Sequence, residues 1–318
     1  MLAYILTGLD NIALGNMSKE EKMRQTVAIV GVGTQGSMIA FRNAVYGKNV
    51  VAFSRNEASR ERCRQRIERF LSFYVNSGKM TTGEAKAARE HITYVATLEE
   101  ACRNAYMIIE NIPEVLERKQ ELFCRLDALC AQDTLFSSNT SSLLMSEICK
   151  NLPPKRKAHT FQVDHDDPVR NSYVEMMWNE FTSEETKTAA LQHYHDLGFE
   201  PIITEREIKG YSINRVWRAV KKECLKLWAN GYISPEEFDR GWMAEWHANV
   251  GPFKLMDLIG LDTILNIEYS YYNASGDESD RPPEKFENFV RDGNLGMKSG
   301  NGFYTGYDSM GGNLTPDK

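Results

Sequence analysis

Six consecutive residues, Gly31-Val32-Gly33-Thr34-Gln35-Gly36, constrain this chain more than any others. An apolar run at residues 27–30 precedes them and a helical pattern follows, so the glycines stand at a strand-to-helix turn. Gly31 permits the tight turn, Gly33 lets the backbone come close to a pyrophosphate, and Gly36 lets helix and strand pack closely. A helix N-terminus adds unpaired N–H groups and the positive end of the helix dipole. A ligand-free turn can have the same composition, but a second strand at residues 49–53 arrives at the interval of a βαβ unit. The spacing therefore predicts a dinucleotide seat built from Gly31, Gly33, Thr34, Gln35 and Gly36.

The residues after the second strand bear on which dinucleotide is held. An Asp or Glu there would accept bonds from the adenine ribose and repel a 2′-phosphate. This chain has neutral Ser54 and cationic Arg55. That pair favours NADP over NAD, with NAD(P) as the cofactor class. The competing reading makes Arg55 no more than the start of a solvated helix.

Residues 57–88 read as a charged helical hairpin turning near residues 76–83. Arg60, Arg62, Arg64, Arg66 and Arg69 crowd its first arm. Such a run is usually a solvated face, although arginine forks also suit the phosphates of a coenzyme A ester. Strand signals return at residues 92–95, 106–109, 134–137, 157–162, 172–177 and 200–204, separated by helical stretches. Alternation of this kind predicts an α/β fold, a Rossmann-type doubly wound parallel sheet with its ligands at the C-terminal ends of the strands. Glu110 and Ser141 fall at such ends. Beyond Gly210 the pattern changes to amphipathic helices, so an all-helical C-terminal domain follows. The expected division is an N-terminal extension (1–24), a dinucleotide-binding domain (25–207) and a helical substrate and dimerisation domain (208–318).

The chain's 318 residues suit two cores. A net charge of −6 supplies no field to recruit nucleic acid or an anionic membrane surface, so neither is expected as a partner. The six cysteines form no C-x-x-C pairs and read as reduced thiols of a cytoplasmic protein. The first 24 residues carry no secretory pattern, and no run approaches the length needed to span a bilayer.

Oxidising a carbinol with a nicotinamide requires a base for the hydroxyl proton, and a neutral imidazole oriented by a carboxylate is the usual solution. The candidate pair is His159 with Glu175, on neighbouring strand-like segments, and His165 in the following loop competes with His159. Ser141 and Asn214 are candidates to hold the reacting oxygen, although both residue types are also common helix caps. His193 and His195, two apart on one helix, point to different faces and make a poor metal pair.

Several stretches together resemble the L-3-hydroxyacyl-CoA dehydrogenase family. They are the glycine turn, Ile109-Glu110-Asn111-Ile112-Pro113-Glu114 with Lys119-Gln120-Glu121-Leu122-Phe123, and Ser138-Asn139-Thr140-Ser141-Ser142-Leu143. Further on come Gly210-Tyr211-Ser212-Ile213-Asn214-Arg215, the run from Gly251-Pro252-Phe253 to Leu261-Asp262, and Gly296-Met297-Lys298-Ser299-Gly300-Asn301-Gly302-Phe303-Tyr304. The resemblance covers residues 25–306 in the family's own order. It implies hydride exchange between NAD(P) and C3 of a 3-hydroxyacyl substrate, possibly a CoA thioester, in a homodimer formed through the helical domain. It further implies that Ser141 binds the substrate oxygen, that Asn214 helps position it, and that Glu110 lies near the nicotinamide. Glu175 falls where the family places the carboxylate partner of its catalytic histidine.

The histidine itself departs from the family. An ungapped count back from Glu175 reaches Val163, and a count forward from Pro154 reaches Phe161. His159 is the favoured counterpart, followed by His165, followed by none. Trp242, Trp246 and His247 stand where common acyl-CoA members carry small residues, as core or dimer contacts or as a bulkier substrate wall. Two rival functions therefore stay open. One is a dehydrogenase of free hydroxy acids or sugar acids, as in the gulonate branch, and the other is a nucleotide-binding relative that has lost catalysis.

Overall fold

In the computed structural model, residues 26–307 are described, and the N-terminal extension lies outside them. The chain divides after Ser212 into two compact units.

The first unit is built on one eight-stranded sheet of order β3-β2-β1-β4-β5-β6-β7-β8. Its strands are β1 (Thr26–Val30), β2 (Asn49–Phe53), β3 (Ile92–Val95), β4 (Met107–Glu110), β5 (Leu135–Ser138), β6 (Thr160–Asp164), β7 (Tyr173–Met177) and β8 (Glu200–Thr204). Strands β1 to β6 are mutually parallel, with Val30 opposite Glu110 and Glu110 opposite Ser138. The expectation of a parallel sheet holds for these six. It fails at the edge, where β7 runs antiparallel to β6 and β8 follows β7. The connection at residues 165–172 is too short to hold the crossover that a parallel return needs, so the chain doubles back.

Alternation along the central strands sends side chains into two cores. Val27 and Ile29 face a cluster with α1 (Thr34–Val45), α2 (Glu57–Asn76), α3 (Thr82–Glu90) and α8 (Glu184–Asp196). Ala28 and Val30 face the other, with α4 (Leu98–Cys102), α5 (Leu116–Leu129) and the short α6 (Met145–Ile148) and α7 (Pro154–Lys157) nearby. The continuous apolar stretch of β1 follows from this two-sided burial. The expected helical hairpin is α2 and α3, the latter opened by a Thr81–Glu84 capping box. The arginines of α2 largely find local partners. Arg64 pairs with Glu61 and lies over the Tyr94 ring, while Arg60 donates to the Ser54 carbonyl.

The second unit is helical: α9 (Ser212–Ala229), whose first residue closes the first unit, α10 (Pro235–Trp246), α11 (Pro252–Ile259), α12 (Leu261–Ser275) and α13 (Glu284–Arg291). Its core gathers Phe253, Phe286 and Phe303 with Met256 and Leu261. Buried Asp257 accepts the Phe303 and Tyr304 amides at 3.0 and 2.9 Å, together with the Tyr307 hydroxyl at 2.6 Å. Asp239 likewise receives the amides of Phe253 and Lys254 at 2.9 and 2.8 Å. The Gly-Pro-Phe and Gly-Phe-Tyr motifs are thus two backbone segments, each tied to a buried carboxylate. No helix among the described residues is long and apolar enough to cross a membrane.

Candidate active site

The glycine turn has the shape its spacing predicts. Gly31 adopts φ +98°, and a Cβ there would come within 2.7 Å of the Asn111 carbonyl oxygen. A Cβ on Gly36 would lie 2.0 Å from the Gly31 carbonyl oxygen, so turn and helix press directly on each other. Gly33 differs: nothing lies within 4 Å of where its Cβ would be. It is also the N-cap of α1 and supplies no side-chain cap, so the helix's first N–H groups are left for an external acceptor. A bare backbone at a helix start, clear of neighbouring protein atoms, fits a pyrophosphate. At the end of β2, Ser54 is half-buried, while Arg55 is exposed on the loop before α2.

Around β4 and β5 the chain builds a rigid polar floor. Glu110 is fully buried, with Lys119 Nζ at 2.7 and 2.9 Å, the Ser138 hydroxyl at 2.5 Å and the Ile112 amide at 2.6 Å. Burial pushes this carboxyl upward and the Lys119 ammonium opposes the shift. The expectation that Glu110 reaches toward the nicotinamide is therefore corrected. Its oxygens are spent inside the protein, and it organises the loop behind the strands. The group that reaches the neighbouring loop is Glu114, four residues on. Its carboxylate accepts the Thr140 hydroxyl at 2.7 Å and the Ser141 amide at 3.1 Å. Lys119 sits 3.3 Å from Glu114 as well, so one ammonium bridges both carboxylates. Ser141 itself is exposed. Gln162 completes this floor, donating to the Leu143 carbonyl and accepting the Met145 amide, both at 2.8 Å.

The two histidines part company. His159 precedes β6, where its carbonyl accepts the Phe136 amide, and its Nδ1 meets Thr186 of α8 at 3.1 Å. It lies on the far side of β6 from Glu175, which stands opposite Asp164 at the other end of the strand. Five residues of extended chain separate His159 from Asp164, roughly 16 Å, so the structure does not bring the proposed His159–Glu175 pair together. Glu175 instead accepts the Thr204 hydroxyl at 2.7 Å and the Ser212 amide at 2.7 Å, as well as the Ser212 hydroxyl. His165 stands where β6 ends, among the C-terminal ends of the parallel strands. Its Nδ1 lies 2.7 Å from Asn139 Oδ1, which also receives its own backbone amide at 3.3 Å. That bond requires the hydrogen on Nδ1 and leaves Nε2 as an acceptor, buried and without a protein partner. The adjoining loop is tied to the glycine turn, since Gln35 Nε2 donates to the Asp166 carbonyl at 2.7 Å. Asn214 belongs to the second unit, near the start of α9.

Two family models cover almost all of the described chain: the 3-hydroxyacyl-CoA dehydrogenase NAD-binding domain over residues 26–208 and the 3-hydroxyacyl-CoA dehydrogenase C-terminal domain over residues 210–306. The chain belongs to the 3-hydroxyacyl-CoA dehydrogenase family. Among its relatives, a probable 3-hydroxybutyryl-CoA dehydrogenase of Bacillus subtilis is 32% identical over 278 residues, covering 87% of this chain and 96% of that one. The 5-formyl-3-hydroxy-2-methylpyridine 4-carboxylate 5-dehydrogenase of Mesorhizobium japonicum is 27% identical, covering 89% and 91%. The crystal structure of (S)-3-hydroxybutyryl-CoA dehydrogenase from Ralstonia eutropha matches with a TM-score of 0.80 at 27% identity, over 89% of this chain and 99% of that one.

Members of this family are NAD-dependent dehydrogenases acting on a CH–OH group, and this chain is an oxidoreductase of that class with an NAD(P)-binding domain. Sequence reasoning missed Glu114, Lys119 and Gln162 as organisers of the site. A signal was present in Glu114 and Lys119, five apart across a strand-to-helix junction, but only the folded loop shows which carboxylate turns inward.

Proposed function

We propose that this protein exchanges a hydride between NAD(P) and C3 of a 3-hydroxyacyl compound, with a CoA thioester as the substrate class. One observation carries the reading. A neutral imidazole, His165, with its tautomer fixed by Asn139, stands beside the loop that Gln35 ties to the glycine turn. The bound nicotinamide supplies the hydride acceptor or donor. His165 Nε2 takes the hydroxyl proton in the oxidising direction, in place of His159. Ser141, held by Glu114 through its amide, and Asn214 hold the reacting oxygen. Glu175 is a positioning residue, fixing Ser212 two residues before Asn214.

For the cofactor we favour NADP, because Ser54 and Arg55 place a hydroxyl and a cation where an acidic residue would repel a 2′-phosphate. The exposed arginines of α2 suit the phosphates of a CoA ester, and a homodimer through the helical unit is the expected assembly. The Mesorhizobium relative, whose printed name is that of a non-CoA dehydrogenase, keeps a free hydroxy acid as the second reading.

The deciding experiment follows nicotinamide absorbance with NADPH and NADH against acetoacetyl-CoA and free 3-keto acids. Turnover of acetoacetyl-CoA supports the proposal. Turnover of the free acids alone moves the assignment to the second reading, and a clear preference for NADH removes the argument from Arg55.

A further inference from the structure

In the core shared by the sheet and α8, buried polar atoms without protein partners collect in one place. They are Ser137 Oγ, His165 Nε2, His193 Nε2 and Tyr194 Oη, with Tyr211 Oη beside them. All five residues are at most 2% exposed. Tyr194 is their hub, its ring centroid 5.4 Å from that of His165 and 5.0 Å from that of His193. The Ser137 hydroxyl offsets part of the effect of burial on the Tyr194 phenol. Tyr211, held at φ +52°, feels Tyr194 together with the carboxylates of Asp164, Glu175 and Glu114.

The line continues away from the site. His193 Nδ1 bonds the hydroxyl of Tyr106, a half-buried residue immediately before β4 whose amide donates to the Thr26 carbonyl. The Lys48–Asp196 ion pair stands at the same edge, and both of its members act on His193. The cluster therefore runs from the C-terminal end of β6 to the N-terminal ends of the central strands.

Buried polar groups that lack protein partners are satisfied in native proteins by ordered water, which makes about three hydrogen bonds per molecule. A single orphaned atom would be unremarkable. Several around one tyrosine form a cage of donors and acceptors suited to water and to little else. We propose that Ser137, His165, Tyr194 and Tyr211 enclose ordered water and that this water, with His193 and Tyr106, relays the reaction's proton between the active site and solvent. The inference deepens the assignment of His165 as the proton acceptor and rests on it.

The step balances as a chain of hops. In the oxidising direction the C3 hydride goes to the nicotinamide and the hydroxyl proton goes to His165 Nε2. His165 returns a proton to the enclosed water as that water gives one to the Tyr194 oxygen. Tyr194 passes its own O–H proton to His193 Nε2, His193 gives the Nδ1 proton to Tyr106, and Tyr106 releases one to solvent. One proton enters, one leaves, and every member is restored to its neutral form. Burial favours this mode, because it holds both imidazoles down at about 3 and pushes the Tyr194 phenol up. No group on the path can keep a charge, so a proton that enters must be handed on.

The test uses the full chain with NADPH or NADH and acetoacetyl-CoA. Tyr194→Phe removes the hub hydroxyl and keeps the ring packing. Its kcat is expected to fall about tenfold or more, the lower range of acid–base contributions, with KM unchanged. In mixtures of light and heavy water, the wild-type rate should bow with deuterium fraction, as several moving protons require, and the Tyr194→Phe rate should lose that curvature. His193→Phe, which cuts the path further out, should reproduce both effects. A kcat within twofold of wild type, or a fall in kcat with the isotope behaviour unchanged, overturns the relay. An atomic-resolution crystal structure of the wild type should show ordered water on Tyr194 Oη, and a dry cage there overturns the site whatever the kinetics. If the wild type turns over neither acetoacetyl-CoA nor free 3-keto acids, the functional assignment fails, and the crystallographic result still decides the water cage.

Discussion

His165 Nδ1 lies 2.7 Å from Asn139 Oδ1, and that one bond ties the end of β6 to the Ser138–Asn139 exit of β5. It fixes which imidazole nitrogen bears the hydrogen, and with it the direction in which the other can accept a proton. His165→Gln should therefore lower kcat by about 10² to 10⁴, the range for loss of a general acid–base group. His159→Gln, at the far end of the strand, should leave kcat within about threefold. Steady-state rates of the two variants, with melting curves to confirm folding, separate them. Equal losses in both would defeat the assignment.

The glycine turn offers a contrast inside one motif. Gly36→Ala drives a Cβ to 2.0 Å from the Gly31 carbonyl oxygen, so the turn itself must shift. The expected cost is about 1–3 kcal/mol of stability, the range for overpacking, together with loss of dinucleotide binding. Gly33→Ala meets no protein atom within 4 Å. It should melt close to wild type while weakening the cofactor, as read by fluorescence titration of NADPH or NADH.

Acid should unfold this protein through its buried histidines. His165 and His193 both have pKa values held down to about 3 by burial, against an ordinary value of 6.5. Between those limits the unfolded chain binds protons that the folded chain refuses. The stability from these two groups is complete above pH 6.5 and is lost as the pH falls toward 3. Each contributes a slope approaching 1.4 kcal/mol per pH unit, roughly 2.303RT per proton. Denaturant melts across that window should show the slope, and His193→Phe should reduce it by about half. A flat profile in the wild type would refute the account.

The helical unit should depend sharply on Asp257. Asp257→Ala leaves the Phe303 and Tyr304 amides and the Tyr307 hydroxyl without their acceptor. Each unsatisfied buried group costs about 1–3 kcal/mol, so the loss should reach at least 3 kcal/mol by chemical denaturation. Cofactor binding, which belongs to the first unit, should persist in the variant under native conditions.

Cofactor choice is testable at one position. Arg55→Glu should move preference from NADPH toward NADH by about tenfold or more, since a carboxylate repels the 2′-phosphate across a short distance. An unchanged ratio of kcat/KM values would show that Arg55 faces only solvent.

The sequence by itself determined the local geometry and the family. A strand, a tight turn and a helix follow from the spacing of Gly31, Gly33 and Gly36, because sterics at those positions tolerate nothing larger. The periodicities of residues 57–90 and 116–129 marked their helices for a similarly local reason, one apolar stripe per turn. Whether a polar side chain faces the cleft or the core is a different kind of fact. Glu110 and Glu114 look alike in sequence, yet only Glu110 lies on a strand whose alternation sends it to Lys119 and Ser138. His159 and His165 are six residues apart on the same segment. The choice between them rests on the reversal of β7, which sets Glu175 opposite Asp164 and leaves His159 at the other end of β6. Pairing register and the packing of α8 made that decision, and they are properties of residues far apart in the chain.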